Sequence, residues 1–287
     1  MKECNISVIV PVYNEEKAVQ QTISNIKKIL DKTNNKYEII AVNDGSTDKS
    51  LKILNKISQI KVLNNQENKG YGASLKKGIH ASKGKWILII DADGTYPTKS
   101  IPDLLKHTRD YDMVVGSRTG KNVKVPFLRR PAKFILGALA NFLTSKKIPD
   151  LNSGLRIFKR IIAEEFMHLF PEGFSFTTTI TLASLTSGYD VKYVPIDYRK
   201  RIGKSSISPF HFFEFTSLIL RMVMYFKPLK FFLVPGLLFF ILGMGYFIYQ
   251  AFWFSNISDL SIIFILGGMQ ICFIGLIADL IVKKIRR

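Results

Sequence analysis

Asp91 and Asp93 stand two residues apart in Ile87-Leu88-Ile89-Ile90-Asp91-Ala92-Asp93-Gly94-Thr95-Tyr96-Pro97. The four apolar residues before them read as a buried strand of a parallel sheet, which Gly94 and Pro97 then break. Strand alternation puts residues i and i+2 on one side, so the two carboxylates are expected to converge. In open α/β sheets ligands bind at the carboxyl ends of strands. Two carboxylates there suit a hard divalent cation, Mg²⁺ or Mn²⁺, carrying the phosphates of a substrate. Taken alone, the stretch also reads as a solvated Asp-rich turn.

The elements that would position this pair repeat its pattern. Ile6 to Val10 reads as a first strand stopped by Pro11, and Asn14-Glu15-Glu16 is expected to open a helix with Val19, Ile23, Ile26 and Leu30 at helical spacing. Tyr37 to Val42 is a second strand, followed by Asn43-Asp44-Gly45-Ser46-Thr47-Asp48, where Thr47 or Asp48 can cap the next helix. Ile60 to Leu63, the Asp91 strand and Met113 to Val115 continue the alternation, the last ending in Gly116-Ser117-Arg118. Alternating strands and helices predict βαβ units and a mostly parallel, doubly wound sheet. Tyr13, Asn14, Glu15, Asp44, Asp91 and Asp93 then project from one edge, a repetition that turn chemistry alone explains poorly. No dinucleotide or P-loop glycine signature follows the first strand, and Gly70-Tyr71-Gly72 reads as a helix start.

Beyond Arg118 the composition changes. Phe134 to Leu143 is a short apolar helix between Arg129-Arg130 and Lys146-Lys147, suited either to a membrane interface or to a core. Asp150 to Arg156 is a loop entering a strand, Pro171 to Ser187 holds a Thr-rich helix, and Lys192 to Tyr198 is a further strand. A basic loop, Arg199 to Ser206, precedes an aromatic-rich helix from Phe210 to Phe226. Uncharged runs then extend from Phe231 to Phe254 and from Leu260 to Ala278. Each is near the roughly 20 residues that span a bilayer. Arg221, Lys227 and Lys230 precede the first run, and Lys283, Lys284, Arg286 and Arg287 follow the second. The positive-inside rule puts both ends, and the large amino-terminal region, in the cytoplasm.

The formal net charge of +19 is large. Its basic residues gather beside apolar helices, which points to an anionic membrane surface and away from nucleic acid. Cys4 and Cys272 form no disulfide framework or zinc spacing. Lys2 and Glu3 lead straight into a strand, so no signal peptide is expected.

Val10-Pro11-Val12-Tyr13-Asn14-Glu15, Asn43-Asp44-Gly45-Ser46-Thr47-Asp48, Asp91-Ala92-Asp93, Gly116-Ser117-Arg118 and Ser153-Gly154 with Arg156 resemble the inverting family 2 glycosyltransferases of GT-A fold. More narrowly they resemble the polyprenyl-phosphate hexosyltransferases, the dolichol-phosphate mannose synthase group. The resemblance implies that Pro11, Tyr13, Glu15 and Asp44 hold the base and ribose of a UDP- or GDP-linked sugar. It implies that Asp91 and Asp93 hold the metal on its diphosphate, with Asp93, Arg118 and Arg201 as the catalytic set. Arg118, Arg129, Arg130 and Ser153 would meet the phosphate of the lipid acceptor, undecaprenyl or dolichyl phosphate. Arg201 and Lys204 would close over the donor. Members with Asp-Ala-Asp-Leu-Gln offer the Gln to the metal, whereas Thr95 stands at that position here, and the late loop reads Ser205-Ser206 in place of Ser-Lys.

The expected organisation is a cytoplasmic GT-A domain over 1–207, a juxtamembrane amphipathic helix over 208–228, and two transmembrane helices, about 231–254 and 260–281, within 229–287. A lipid monophosphate is already anionic and needs no general base, whereas a hydroxyl acceptor would need one. Asp150 is the loop candidate for that base and reads more readily as a cap or turn residue. The alternatives are the same fold acting on a lipid or glycan hydroxyl, and a non-catalytic membrane scaffold with a degenerate domain. Glycines at 236, 243, 267, 268 and 275 permit close helix packing, within a hairpin or between subunits.

Overall fold

Ile-Ser-Val-Ile-Val-Pro-Val leaves no residue for solvent, and the strand it forms, β1 (Ile6–Val12), is buried along its whole length. A strand apolar on both faces belongs in the middle of a covered sheet. In the computed structural model, which describes residues 5–120, 137, 140, 141, 144, 146–173, 175–199, 211–254 and 258–285, β1 lies between β2 (Tyr37–Asp44) and β4 (Trp86–Ile89). With β3 (Lys61–Asn65), β5 (Met113–Ser117), β6 (Arg156–Lys159) and β7 (Val191–Pro195), the seven strands run in the order β3-β2-β1-β4-β6-β5-β7.

Helices α1 (Val19–Leu30), α2 (Ser50–Leu54), α3 (Tyr71–Ala81) and α4 (Ile101–Lys106) alternate with the first five strands as the pattern predicts. Helix α1 buries Val19, Ile23, Ile26 and Leu30 completely, in one core with Val8, Val10, Ile39 and Leu88. Each such side chain contributes about 1.5–3 kcal/mol on burial. Helix α1 starts at Val19, later than the sequence pattern suggests. Asn14 sits at φ +54°, accepts the Thr47 N–H on its side chain at 2.8 Å and donates its own N–H to Ser46 at 3.0 Å. Glu15 and Glu16 donate their N–H groups to Ser50 and Asp48. The residues expected to open the helix are instead engaged with the loop after β2.

The sheet is mostly parallel, with one reversal that determines the site. Strand β6 pairs antiparallel with both β4 and β5, with Arg156 opposite Ile89 and Val115. Its first residue therefore lies near the carboxyl ends of its neighbours, and the loop entering it is delivered to that edge. After β6 come α5 (Arg160–Phe166) and the Thr-rich α6 (Phe176–Thr186), whose residues from Phe176 to Leu185 are all buried. Strand β7 closes the sheet beside β5 and ends at Pro195, earlier than expected.

The chain divides into two compact units, Met1–Phe215 and Thr216–Arg287. Helix α7 (His211–Phe226) spans that boundary in sequence. The second unit holds α8 (Pro228–Phe254) and α9 (Asp259–Ile285), two helices long and apolar enough to cross a membrane. Ile241, Phe252, Trp253 and Leu280 are more than 60% exposed, which a core helix of a soluble protein would not tolerate. Glycines bring the two helices together: a Cβ on Gly236 would meet Cys272 Sγ at 2.6 Å, and one on Gly268 would meet the Phe240 nitrogen at 2.6 Å. Gly243 and Gly275 make similar approaches, while Gly267 has nothing within 4 Å.

Candidate active site

The carboxyl edge of the sheet collects the residues singled out by sequence. Pro11 does not stop β1, which runs one residue further to Val12, with Tyr13 and Glu15 just beyond; Asp44 ends β2, Asp91 and Asp93 follow β4, Arg118 follows β5, and Ser153 precedes the reversed β6. Arg129, Arg130, Arg201 and Lys204, and most of the expected helix from 134 to 143, lie outside the described residues.

Asp91 and Asp93 are not placed by strand alternation, because β4 ends at Ile89 and the chain turns at Ala92-Asp93-Gly94, with Gly94 at φ +73°. Separate partners hold them. Tyr71, the first residue of α3, donates its hydroxyl to Asp91 Oδ1 at 2.9 Å. Burial, reinforced by the charge of Asp91, keeps that phenol well above its usual pKa, so it donates as a neutral group. Bare backbone at Gly154 packs on the Asp91 carboxylate: a Cβ there would lie 2.4 Å from Oδ2. Thr22 of α1 donates to the Ala92 carbonyl at 3.0 Å and anchors the turn between the two acids. Asp93 Oδ1 accepts both the N–H and the hydroxyl of Thr95, at 3.0 and 2.6 Å. Thr95 is fully buried and acts here as a brace for Asp93.

Asp44 is 4% exposed and takes three donors: Asn65 Nδ2 at 2.8 Å, the Lys69 N–H at 3.0 Å and the Gly70 N–H at 2.9 Å. It fixes the turn that launches α3 and hence the position of Tyr71. The first free N–H groups of α3 are satisfied by the Gly173 and Glu172 carbonyls, which makes Gly70-Tyr71-Gly72 a helix start and not a phosphate cradle. Tyr13 is 41% exposed, whereas Glu15 is buried.

Arg118 pairs with Asp150 through two parallel bonds, Nε to Oδ2 at 2.7 Å and Nη2 to Oδ1 at 2.8 Å. Burial works to lower the pKa of this guanidinium, but the bonds to Asp150 outweigh it, so the net shift is upward. Its Nη1 donates to no group among the described residues. The guanidinium also lies 5.3 Å from the Tyr198 ring centroid, and Tyr198 meets Tyr96 edge-on. Tyr96 in turn accepts the Gly154 N–H at 2.7 Å. Ser153 is fully buried, and its hydroxyl goes to the Gly116 carbonyl; in this position it braces the loop against β5.

Two backbone contacts hold Arg199 and Gly120 beside this edge. The Arg199 N–H is donated to the Thr95 carbonyl at 2.9 Å, immediately before residues 200–210, and the Gly120 N–H goes to the Ile196 carbonyl at 3.2 Å, immediately before residues 121–136.

Sequence reasoning missed the braces. In sequence Tyr71 reads only as part of a helix start, and Thr95 only as a departure from a pattern. Arg156 is fully buried and clamps the Ser153 carbonyl with Nε and Nη2 while its Nη1 reaches Thr177 and Thr181. In sequence Arg156 stands out through its place beside Ser153-Gly154, but nothing there shows that it clamps the loop.

Two hard carboxylates of fixed orientation, one lying on bare glycine backbone, form a donor set that fits a divalent cation. Among the described residues no third His, Cys, Asp or Glu joins them.

The family model described as Glycosyl transferase family 2 matches residues 7–167, and that described as GtrB C-terminal hairpin matches residues 227–283. The chain is 29% identical over 208 residues to a dolichyl-phosphate hexose transferase of Haloferax volcanii, covering 72% of this chain and 88% of that protein. It is 29% identical over 169 residues to an undecaprenyl-phosphate 4-deoxy-4-formamido-L-arabinose transferase of Proteus mirabilis, covering 56% of this chain and 51% of that protein. Among solved structures, glucosyl-3-phosphoglycerate synthase of Mycobacterium tuberculosis in complex with UDP superposes with a TM-score of 0.60 at 18% identity, over 76% of this chain and 79% of that one. The same enzyme has been crystallised with Mn²⁺ and UDP (TM-score 0.57). At such identity these structures share the fold.

Proposed function

Because the chain belongs to glycosyl transferase family 2 and is a glycosyltransferase, we propose that it moves a hexose from a UDP- or GDP-linked sugar to a polyprenyl phosphate, undecaprenyl or dolichyl, with inversion at the anomeric carbon. The observation that carries this reading is the edge itself, which holds braced carboxylates after β4 and an arginine after β5.

In this reading Pro11, Tyr13, Glu15 and Asp44 hold the base and ribose, and Asp91 and Asp93 hold Mg²⁺ or Mn²⁺ on the diphosphate. Such a cation neutralises charge developing on the leaving diphosphate. An oxygen of the lipid phosphate attacks the anomeric carbon as the bond to the diphosphate breaks, and the nucleoside diphosphate leaves with the electron pair. The acceptor is already ionised near neutral pH, so no side chain has to remove a proton. Asp150 fits that chemistry, since its oxygens are committed to Arg118 and not to deprotonating a hydroxyl. Arg118 keeps Nη1 for the acceptor phosphate while Asp150 fixes its plane. Arg129 and Arg130 add charge for the acceptor. Arg201 and Lys204 follow a segment pinned to Thr95 and are assigned to closing over the donor.

We assign the catalytic domain to 1–207, an interfacial helix to 208–228 and the membrane hairpin to 229–287, with the domain and both termini cytoplasmic. The basic residues before α8 and after α9 support that orientation. Incubating detergent-purified protein with Mn²⁺, undecaprenyl or dolichyl phosphate and a panel of radiolabelled UDP- and GDP-sugars tests the reaction. At least one donor should label the lipid, and the label should be absent in EDTA. Label entering only a hydroxyl acceptor would replace this reading with the alternative.

A further inference from the structure

Tyr71 connects two carboxylates that the proposed reaction uses separately. The Lys69 and Gly70 N–H groups are donated to Asp44, at 3.0 and 2.9 Å. Gly70 stands at φ +99°, and a Cβ there would lie 2.7 Å from the Glu172 carbonyl oxygen, so the turn has little room to shift. Tyr71 follows at once and donates to Asp91 Oδ1. Three residues thus run from the carboxylate assigned to the nucleotide base to the one assigned to the metal.

We infer that Tyr71 is a positioning residue for metal binding, orienting the Asp91 carboxylate from a turn that Asp44 holds in place. This rests on the metal reading above. A carboxylate on a turn rotates about its Cβ–Cγ bond, and a donor on one oxygen selects the rotamer that presents the remaining lone pairs. Partners of this kind are worth about 10–100-fold in metal affinity or activity. Removing the hydroxyl leaves the ring to fill its space, so the loss falls on orientation.

The test is Mn²⁺ binding by the full-length protein in detergent, followed by electron paramagnetic resonance with UDP and then GDP present. Affinity for the same nucleotide is measured in EDTA alongside. Wild type is compared with Tyr71→Phe, Tyr71→Met and Asp91→Asn. Both Tyr71 variants should weaken Mn²⁺ binding by about 10–100-fold and change nucleotide affinity in EDTA by less than about threefold. Two variants are used so that a folding failure of one leaves the other to decide. Unchanged Mn²⁺ binding in Tyr71→Phe, while Asp91→Asn loses it, would overturn this inference alone. Equal loss of Mn²⁺ and metal-free nucleotide binding would overturn it too, by showing a general structural role. Wild type and Asp91→Asn binding Mn²⁺ alike would remove the metal reading itself.

Discussion

Gly154→Ala is the sharpest single perturbation of the edge. The new Cβ would lie 2.4 Å from Asp91 Oδ2 and 2.8 Å from both Cγ and Oδ1. Ordinary contact begins near 3.4 Å, so the carboxylate has to retreat by about 1 Å. It cannot retreat freely, because Tyr71 holds its other oxygen, and Gly154 is held by its own N–H bond to Tyr96. Gly154 is not at positive φ, so alanine adds crowding without backbone strain. Overpacking of this kind costs about 1–3 kcal/mol of stability, which the fold should survive. A misplacement of about 1 Å at a reacting centre costs roughly a hundredfold in rate, or about 2.7 kcal/mol of barrier. The assay is transfer of labelled sugar to polyprenyl phosphate over a Mn²⁺ titration, with Asp91→Ala and the double variant alongside. If the methyl acts through Asp91, the double variant should be no worse than Asp91→Ala alone. Full activity of Gly154→Ala at unchanged Mn²⁺ half-saturation would refute the idea that a fixed Asp91 carboxylate matters.

Other predictions follow from the same contacts. Arg118→Lys keeps the charge but loses the two-pronged grip on Asp150; transfer should fall more than about tenfold while donor binding, by calorimetry, shifts less than about tenfold. Donor affinity collapsing in step would assign Arg118 to the other substrate. Asp112 accepts Lys159 Nζ at 2.6 Å and the Asp190 N–H at 2.9 Å; burial would raise its pKa, but these bonds hold it below its usual 3.8. The folded value is the lower one, so this stabilisation is present above the ordinary carboxylate range and lost as pH falls through the folded value. Asp112→Asn should therefore melt below wild type at neutral pH, by under about 1 kcal/mol for so exposed a pair, with the gap closing in acid; an equal gap at both pH values would contradict this. Deleting residues 229–287 should leave a protein that still binds anionic liposomes in a salt-sensitive way, and a truncated protein that ignores liposomes would place the helices around 134–143 and 211–226 in the core.

What could be read from sequence was local. The apolar run of β1, the helical spacing of α1, the turn after β2 and the two long apolar helices each declare themselves within a dozen or two residues. The site residues were legible as types at strand ends. Their orientation was not, because it depends on partners distant in the chain: Tyr71 reaches 20 residues to Asp91, Arg118 reaches 32 to Asp150, and the Gly154 N–H reaches 58 to Tyr96. The reversal of β6 was hidden for the same reason. Four residues, the first three of them buried, pair in either direction, and only the register against β4 and β5 settles which. The start of α1 was misplaced because Asn14 and Glu15 resemble a helix opening, while their hydrogen bonds go to Ser46, Thr47 and Ser50.

The central claim is that the acceptor atom is a phosphate oxygen. Phosphorus NMR of the polyprenyl phosphate, recorded during turnover with a donor that supports labelling, tests it directly. The phosphomonoester resonance should decay while a phosphodiester resonance grows in equal amount, with both changes abolished by EDTA. A phosphomonoester signal that stays constant while sugar is consumed and appears on lipid would contradict it, because the sugar would then have gone to a hydroxyl.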